Sequence, residues 1–190
     1  MKIEIEKKDL MAVLSKTQNI VEKRNTMPVL LNVLIEASND KIKLFATDLE
    51  VSLTDEAKAT IIQPGKAAIN AKNLFEIVKE LSDTTIQLTK KENNWLEIKQ
   101  NKSVFNIVGI SAEEYPVFPS YSTQEFMKIN AKVLSEMIEK TIFSVSTDET
   151  RYHLNGVYFE HYQNEGKAYY RMVATDGHRL SVIDKDALST

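Results

Sequence analysis

The sequence predicts an α+β fold in which a duplicated unit, namely a strand, a helix and three antiparallel strands, places its helices on one face of antiparallel sheets. Three observations predict this fold. Ile-Asn-Ala-Lys occurs at residues 69–72 and again 60 residues later, at 129–132. After both copies, apolar residues recur at the i, i+3, i+4 spacing of a helix, and the same spacing follows residues 2–6 at the N-terminus. Alternating strands and polar turns then follow each helix.

The three predicted helices share one spacing of apolar positions, which gives each helix a single buried stripe. The stripe positions of the three helices are Leu10, Val13, Leu14, Thr17 and Val21; Leu74, Ile77, Val78 and Leu81; and Leu134, Met137, Ile138, Thr141 and Val145. Asn70 and Asn130 come just before the second and third helices, where an N-cap residue would accept a backbone hydrogen bond.

A short entering strand precedes each helix, at residues 2–6, 67–70 and 126–130. After the second helix, strands are predicted at 85–89, 95–99 and 103–109, with Trp95 in the core or packed on the hairpin. After the first and third helices, the pattern is strand, polar turn, strand, Ala-Thr-Asp, strand. The Ala-Thr-Asp tripeptide lies at 46–48 in one copy and at 174–176 in the other.

These repeats predict two domains. Residues 1–121 form the first domain, from two pseudo-symmetric halves at 1–65 and 66–121, and residues 125–190 form the first half of a second domain. The boundary lies in a segment rich in Pro, Ser and Thr. An odd half leaves an apolar helix stripe and a strand edge without a partner, so we expect these 190 residues to be part of a longer chain.

Composition excludes several functional classes. The chain has no cysteine, an ordinary 43% of apolar and 27% of charged residues, and a net charge of −3. It lacks a secretory signal, an apolar run long enough for a membrane span, a Gly-rich phosphate loop and any metal-ligand spacing around His153 or His161. We therefore expect no metal and no cofactor, and the lack of cysteine fits a reducing compartment. The negative net charge argues against a protein that binds nucleic acid over its whole surface, but it allows a locally basic face.

Four motifs in order make the chain similar to a known family. They are Ala-Thr-Asp-Leu-Glu at 46–50, Glu-Glu-Tyr-Pro at 113–116 followed by Pro119, Ser-Thr-Asp-Glu-Thr-Arg at 146–151 with Leu-Asn-Gly-Val at 154–157, and Val-Ala-Thr-Asp-Gly-His-Arg-Leu at 173–180. With these motifs the chain resembles the bacterial DNA polymerase III beta subunits, the replicative sliding clamps. The resemblance covers the whole chain.

The resemblance implies a DNA-clamp fold and a processivity factor that is not an enzyme. Clamp chains close as a homodimeric ring around duplex DNA, without reading its sequence, and tether the polymerase. Polymerase and clamp-loader subunits dock on the ring through short peptide motifs. The resemblance also implies a bacterial cytoplasmic protein associated with the nucleoid, with no membrane partner.

The family's peptide-binding pocket and DNA contacts can be carried over residue by residue. The pocket residues matched in this sequence are Leu154, Thr175, Gly177, His178, Arg179 and Leu180. Arg24 matches an arginine that contacts the DNA backbone, where a forked guanidinium suits phosphate. Asp148 and Glu149 stand where the family has another DNA contact, so no DNA role is assigned to them.

The predicted helices also carry lysines mixed with glutamates. This pattern is typical of an ordinary solvated face, and it would equally suit the diffuse attraction to phosphate that sliding requires. The lysines are Lys7, Lys8, Lys16, Lys72, Lys79, Lys132 and Lys140.

Two alternatives remain open at this point. The segment 175–179 combines Thr, Asp, His and Arg, which could form the site of an uncharacterised enzyme or small-molecule binder. Adjacent residues of one hairpin seldom converge as a triad, however, and the sister copy at 46–50 lacks the histidine and the arginine. The chain could also be a peptide-binding module that never encircles DNA.

Overall fold

The computed structural model describes residues 1–21, 27–116 and 127–187. The chain divides into two compact units, Met1–Ser120 (unit 1) and Tyr121–Thr190 (unit 2), which are described separately.

Unit 1 contains two helices and ten strands among its described residues, together with short 3-10 turns. In chain order the elements are β1 Lys2–Glu6, α1 Lys7–Val21, β2 Asn32–Ser38, β3 Lys41–Thr47, β4 Ser52–Lys58, β5 Thr60–Gln63, β6 Gly65–Asn70, α2 Ala71–Glu80, β7 Thr85–Lys90, β8 Leu96–Gln100, β9 Ser103–Ile107 and β10 Gly109–Ile110.

The two halves of unit 1 exchange their entering strands. One sheet has the order β5-β1-β7-β8-β9, so the strand that begins the first half lies beside the three strands of the second. The other sheet has the order β10-β6-β2-β3-β4, which is the reciprocal arrangement. All these pairs are antiparallel, with Ile5 opposite Ile86 in one sheet and Ile69 opposite Val33 in the other. Each half therefore completes the sheet of its partner.

One apolar core joins both halves. It includes Leu10 and Leu14 of α1 together with Leu74 and Val78 of α2, and all four side chains are fully buried. The two helices pack against each other, as their matching stripes predict. The N-cap predictions are also confirmed, because the Asn70 Oδ1 accepts the Asn73 N–H at 2.9 Å.

A lysine of α1 ties the two helices together. The Lys7 ammonium donates to the carbonyl oxygen of Lys79 at 2.9 Å and to that of Leu81, at the C-terminal end of α2. These carbonyls have no partner within their own helix, and a cation there also complements the helix dipole. Lys7 is therefore a capping residue, whereas we expected it on a solvated face.

Tyr115, in the Glu-Glu-Tyr-Pro motif, fastens the end of the described part of unit 1 to its second sheet. Its side chain is buried, and its hydroxyl donates to the carbonyls of Asn32 at 3.2 Å and Phe45 at 3.3 Å. Burial raises the pKa of the Tyr115 hydroxyl to about 12. The phenol is thus a neutral donor that closes the open end of the β2–β3 pair.

Unit 2 contains one helix and one sheet among its described residues. The elements are α3 Ala131–Glu139, β11 Tyr158–Asn164, β12 Lys167–Thr175 and β13 Leu180–Asp186, and the sheet order is β11-β12-β13. The Asn130 Oδ1 caps α3 by accepting from the Lys132 N–H at 2.9 Å. Met137, Tyr170 and Met172 form a small buried core.

Several predicted elements differ from the structure. Residues 127–130 are not in a strand, contrary to the predicted entering strand at 126–130, of which residue 126 lies outside the described residues. Strands β5 and β10 were not predicted, and the predicted strand at 103–109 ends at Ile107. Trp95 is 42% exposed and lies between β7 and β8, so of the two expected placements the core is wrong and a position on the hairpin remains. None of the described helices combines the length and apolarity that crossing a bilayer requires.

Replacing Tyr115 with phenylalanine should destabilise unit 1 by about 1 kcal/mol, because two buried carbonyls lose their shared donor. Trp95 is the only tryptophan and lies in unit 1, so its fluorescence during urea unfolding reports that unit. The control is Tyr152→Phe, whose exposed ring lies in unit 2 and should leave the Trp95 transition unchanged. An unchanged midpoint for Tyr115→Phe would show that its hydroxyl bonds contribute nothing net.

Candidate functional site

The segment between β12 and β13 forms a turn that its own side chains hold in place. The Thr175 hydroxyl donates to the Arg179 carbonyl at 2.6 Å and accepts the Gly177 N–H at 3.1 Å. The Asp176 Oδ1 accepts the backbone N–H groups of His178 and Arg179 at 2.9 and 3.0 Å. Short polar side chains commonly stabilise turns in this way. The turn therefore presents the side chains of His178 and Arg179 from a fixed backbone.

Asp176 stays ionised well below neutral pH. The two backbone N–H donors, and then the Arg179 guanidinium that donates from Nε to Oδ2 at 2.9 Å, lower the Asp176 pKa to about 2. A carboxylate that accepts several donors is stabilised in its charged form. The acceptor on which the turn depends is thus present across the physiological pH range.

Gly177 is needed for the backbone conformation of this turn. Its φ is +89°, in the region that side chains disfavour. A Cβ at this position would also lie 3.3 Å from the Arg151 Nη1. Gly177 therefore keeps the turn close to the neighbouring guanidinium.

Unit 1 contains the same turn in its Ala-Thr-Asp copy. The Thr47 hydroxyl donates to the Val51 carbonyl at 3.1 Å and accepts the Leu49 N–H at 3.0 Å. The Asp48 Oδ1 accepts from the N–H groups of Glu50 and Val51 at 3.0 and 2.6 Å. Leu49 has φ +77°, matching the glycine of the other copy. The Thr-Asp pair is therefore a structural device in both units, and His178 and Arg179 are additions specific to unit 2.

Two clefts lie on either side of the unit 2 turn. The first, which we call the phenylalanine cleft, has a volume of about 450 Å³. Its apolar lining is Ile142, Phe143 and Val145, and its charged or polar lining includes Asp148, Arg151, Asp176, His178 and Arg179. The Arg179 guanidinium lies 5.8 Å from the centre of the exposed Phe143 ring, within the range of a cation–π contact. This cleft combines apolar side chains with groups of both charges, because Arg179 pairs with Asp176 at 2.9 Å and Arg151 with Asp148 at 3.6 Å.

The second cleft, the tyrosine cleft, has a volume of about 360 Å³ and is more apolar. Its lining is Tyr152, His153, Leu154, Gly156, Val157, Tyr158, Val173 and Thr175. Tyr152 is highly exposed and meets the ring of His153 edge to face. Apolar walls with a few polar groups are typical of sites that hold small ligands or peptide side chains.

The six predicted pocket residues all lie near the turn, but they do not line one cavity. Leu154 and Thr175 line the tyrosine cleft, and His178 and Arg179 line the phenylalanine cleft. Gly177 lies within the turn between them. Leu180, the first residue of β13, is 64% exposed and lines neither cleft.

Two residues that line the phenylalanine cleft were not predicted from the sequence. Phe143 follows α3 in a 3-10 turn, and the available signal was an aromatic residue outside the apolar stripe of the preceding amphipathic helix. Arg151 lies within the Ser-Thr-Asp-Glu-Thr-Arg motif and points an Nη1 toward the Asp176 carbonyl at 3.5 Å. Asp148 caps the 3-10 turn that carries Arg151 by accepting the Thr150 N–H at 3.0 Å, which gives this motif a structural role.

Arg24, the predicted DNA contact, lies outside the described residues. Three of the seven helix lysines are engaged within the chain: Lys7 caps α2, Lys16 pairs with Asp55 at 2.7 Å and Lys140 pairs with Glu136 at 2.8 Å. The other four, Lys8, Lys72, Lys79 and Lys132, are exposed on their helices.

No group of three or more His, Cys, Asp or Glu side chains in the described residues could hold a metal ion. His161 lies 5.3 Å from Tyr170, ring centre to ring centre, which gives it a packing role on the sheet.

Two family models match the chain in order. The N-terminal domain of the DNA polymerase III beta subunit matches residues 1–119, and its central domain matches residues 128–189.

Relatives with known names agree with these matches. A beta sliding clamp from Caulobacter vibrioides is 38% identical over 98% of this chain, and one from Bacillus subtilis is 32% identical over 96%. Among solved structures, a pol III beta from Caulobacter crescentus superimposes with a TM-score of 0.92 at 37% identity, and covers 98% of this chain. A sliding clamp from Bartonella birtlesii bound to griselimycin gives 0.90 at 34% identity over the same share. This chain covers 51% of the first relative, 49% of the second and 51% and 50% of the two structures, so it spans about half their length.

Proposed function

This chain belongs to the DNA polymerase III beta-subunit family, and from that premise we propose that it contributes part of a ring-shaped sliding clamp. The ring encircles duplex DNA and acts as a processivity factor without catalysing a reaction. Unit 1 supplies one wall of the ring, and unit 2 supplies part of a peptide-binding pocket. The proposal places the protein in a bacterial cytoplasm, on the nucleoid.

The observation that supports this proposal most strongly is the interlocked pair of halves in unit 1, together with both family models in order. Strand exchange brings α1 and α2 side by side over one shared core. A wall made in this way is stiff, because neither half can leave without breaking a sheet of the other. Stiffness is what a ring needs if it is to stay closed around a duplex.

In this proposal the contact with DNA is weak and diffuse. The exposed lysines of α1 and α2 lie among acidic residues, and the chain carries a net charge of −3. Such a face can attract phosphates without reading bases, and its attraction weakens as salt rises. Arg24 is proposed as a further phosphate contact, because its position matches the family's arginine.

Short peptides from polymerase and clamp-loader subunits are the proposed ligands of the unit 2 turn. Leu154 and Leu180 would contact an apolar anchor, Gly177 would let the ligand backbone approach, and His178 with Arg179 would form a polar rim. A docked polymerase that dissociates from DNA stays at high effective concentration near the primer end. Tethering of this kind needs no chemistry from the clamp. Two such chains, extended to the length of their relatives, would form the homodimeric ring.

The turn geometry argues against the enzyme alternative. The Thr175 hydroxyl donates to a backbone carbonyl, and the Asp176 carboxylate accepts from two backbone N–H groups and Arg179. A nucleophile needs a base within hydrogen-bond reach, and a base needs an orienting partner. Here both candidate groups are already engaged in holding the turn.

A plasmid experiment tests the encircling role. The protein, extended to the length of its relatives, is loaded by its clamp loader on nicked circular DNA and separated by gel filtration. We expect it to stay with circular DNA and to be lost once the DNA is linearised, because a ring slides off an open end. Equal retention on both forms, or on neither, would favour a module that does not encircle DNA.

Leu180→Asp should weaken peptide binding at least about tenfold, because burying a leucine side chain contributes about 1.5–3 kcal/mol. The probe is a fluorescein-labelled peptide from a polymerase that the same protein stimulates, and the measurement is fluorescence anisotropy. Val182→Asp is the matched control, since Val182 is also exposed and lies two residues further along β13. Equal losses in both variants would remove Leu180 from the pocket.

A further inference from the structure

Both units repeat a Leu-Asn pair near the start of their first long sheet strand, at residues 31–32 before β2 continues and at residues 154–155 shortly before β11. In unit 1 the asparagine has a clear structural role. Asn32 is buried, and its carboxamide nitrogen donates to the carbonyl oxygens of Pro28 and Val29, both at 3.1 Å. The side chain thereby holds the 3-10 turn that leads into β2.

Asn155 makes the same kind of contact in unit 2. Its carboxamide nitrogen faces the carbonyl oxygens of Ser146, Asp148 and Arg151 at 3.0, 3.1 and 3.2 Å. The opposite orientation would place the amide oxygen against three carbonyl oxygens, so the nitrogen is the group that faces them. The Arg151 carbonyl precedes the asparagine by four residues, which is also the longer of the two separations in unit 1.

The three carbonyls belong to a segment that folds back on itself. The Ser146 N–H donates to the Leu154 carbonyl at 2.9 Å, so the two ends of the segment 146–154 meet beside Asn155. Most of this segment is a 3-10 turn with a kink at Arg151, and a kinked turn cannot supply all its carbonyls with backbone partners. The two protons of the Asn155 carboxamide take the place of those partners.

Both clefts of the candidate site depend on this segment. Ser146, Asp148 and Arg151 line the phenylalanine cleft, and Leu154 lines the tyrosine cleft. Asn155 lines neither cleft. It therefore acts on the site only through the backbone of the residues that do line the clefts.

We propose that Asn155 is a positioning residue for the peptide site, whose carboxamide holds Arg151 and Leu154 in the place where a peptide would meet them. This inference rests on the proposed peptide binding by unit 2. A surface that is already ordered before its ligand arrives loses less conformational entropy on binding. When only a fraction of the molecules has the ordered segment, the apparent affinity falls by that fraction.

The variant Asn155→Asp tests the donor, because a carboxylate has the size of the carboxamide but offers no hydrogen to the three carbonyls. In the protein extended to the length of its relatives, it should bind the fluorescein-labelled polymerase peptide at least about fivefold more weakly. The loss is several-fold rather than larger because Asn155 is exposed, and water replaces part of its bonds.

Asn164→Asp is the matched control. Asn164 is exposed at the last position of β11 and lines neither cleft, so this variant should bind the peptide as the unmodified protein does. Equal affinities of the unmodified protein and both variants would overturn the proposal.

A pH series separates the lost donor from a general loss of stability. Between about pH 7.5 and about pH 4.5, the carboxyl group introduced by Asn155→Asp gains a proton and again offers one donor, since the three carbonyls raise its pKa. Its affinity should therefore recover in part toward that of the unmodified protein, whereas Asn155→Ala should show the same deficit throughout. A deficit of Asn155→Asp that stays constant with pH contradicts the donor role.

The neighbouring charged groups do not obscure this comparison. The pKa values of Asp148 and Asp176 are lowered by the hydrogen bonds that their carboxylates accept, so both remain largely ionised in this range. Arg151, His153 and His178 are the same in every variant, and each variant is compared with the unmodified protein at the same pH.

Amide hydrogen exchange, measured by mass spectrometry without peptide, gives an independent test. We expect Asn155→Asp to speed exchange in residues 146–155 and to leave β11, β12 and β13 as in the unmodified protein. Unchanged exchange in residues 146–155, or faster exchange throughout unit 2, overturns the proposal. Because no peptide is present, this measurement decides the role of Asn155 even if the proposed peptide binding fails its own test with Leu180→Asp.

Discussion

The exchange of entering strands is the constraint on which the rest of unit 1 depends. Strand β1 belongs to the first half in sequence but to the second half in hydrogen bonding, and β6 does the reverse. Because each sheet is completed by the other half, the helices that follow these strands are brought side by side, and one core fills the space between them. Lys7, the first residue of α1, then reaches the last carbonyls of α2. Helix packing and capping thus follow from strand pairing.

The candidate site is one of two copies of the same turn, and only the unit 2 copy carries the side chains proposed to bind peptide. Thr and Asp side chains hold the same backbone in both units, with a residue of positive φ at the third position. The two copies differ in the side chains at the last two positions of the turn, which are His178 and Arg179 in unit 2 and Glu50 and Val51 in unit 1. The scaffold is therefore independent of the ligand, and the proposed pocket depends on side chains that the scaffold does not require. Phe143, beneath Arg179, extends that surface with an apolar ring.

Much of this could be predicted from the sequence because it depends on local pattern. Helical spacing, the Asn70 and Asn130 caps and the glycine turn each involve neighbours a few residues apart. Strand exchange could not be predicted, since alternation shows that a segment is a strand but not which strand lies beside it. The two-residue β10 is too short to give a periodic signal. The entering strand predicted at 126–130 has the right composition, but a strand exists only when another strand pairs with it. The size of Trp95 could not decide between the core and the hairpin, because a position beside a turn can leave a large ring exposed.

Native-state hydrogen exchange of unit 1, measured amide by amide as urea is raised, tests the interlocked joint most directly. If each half holds the first strand of the other, neither half can open alone. The amides of β1, β6 and both sheets should then exchange through one common opening reaction, with the same free energy of opening for every amide. Separate opening of the two halves, with β1 following α1 rather than β7, would contradict the account.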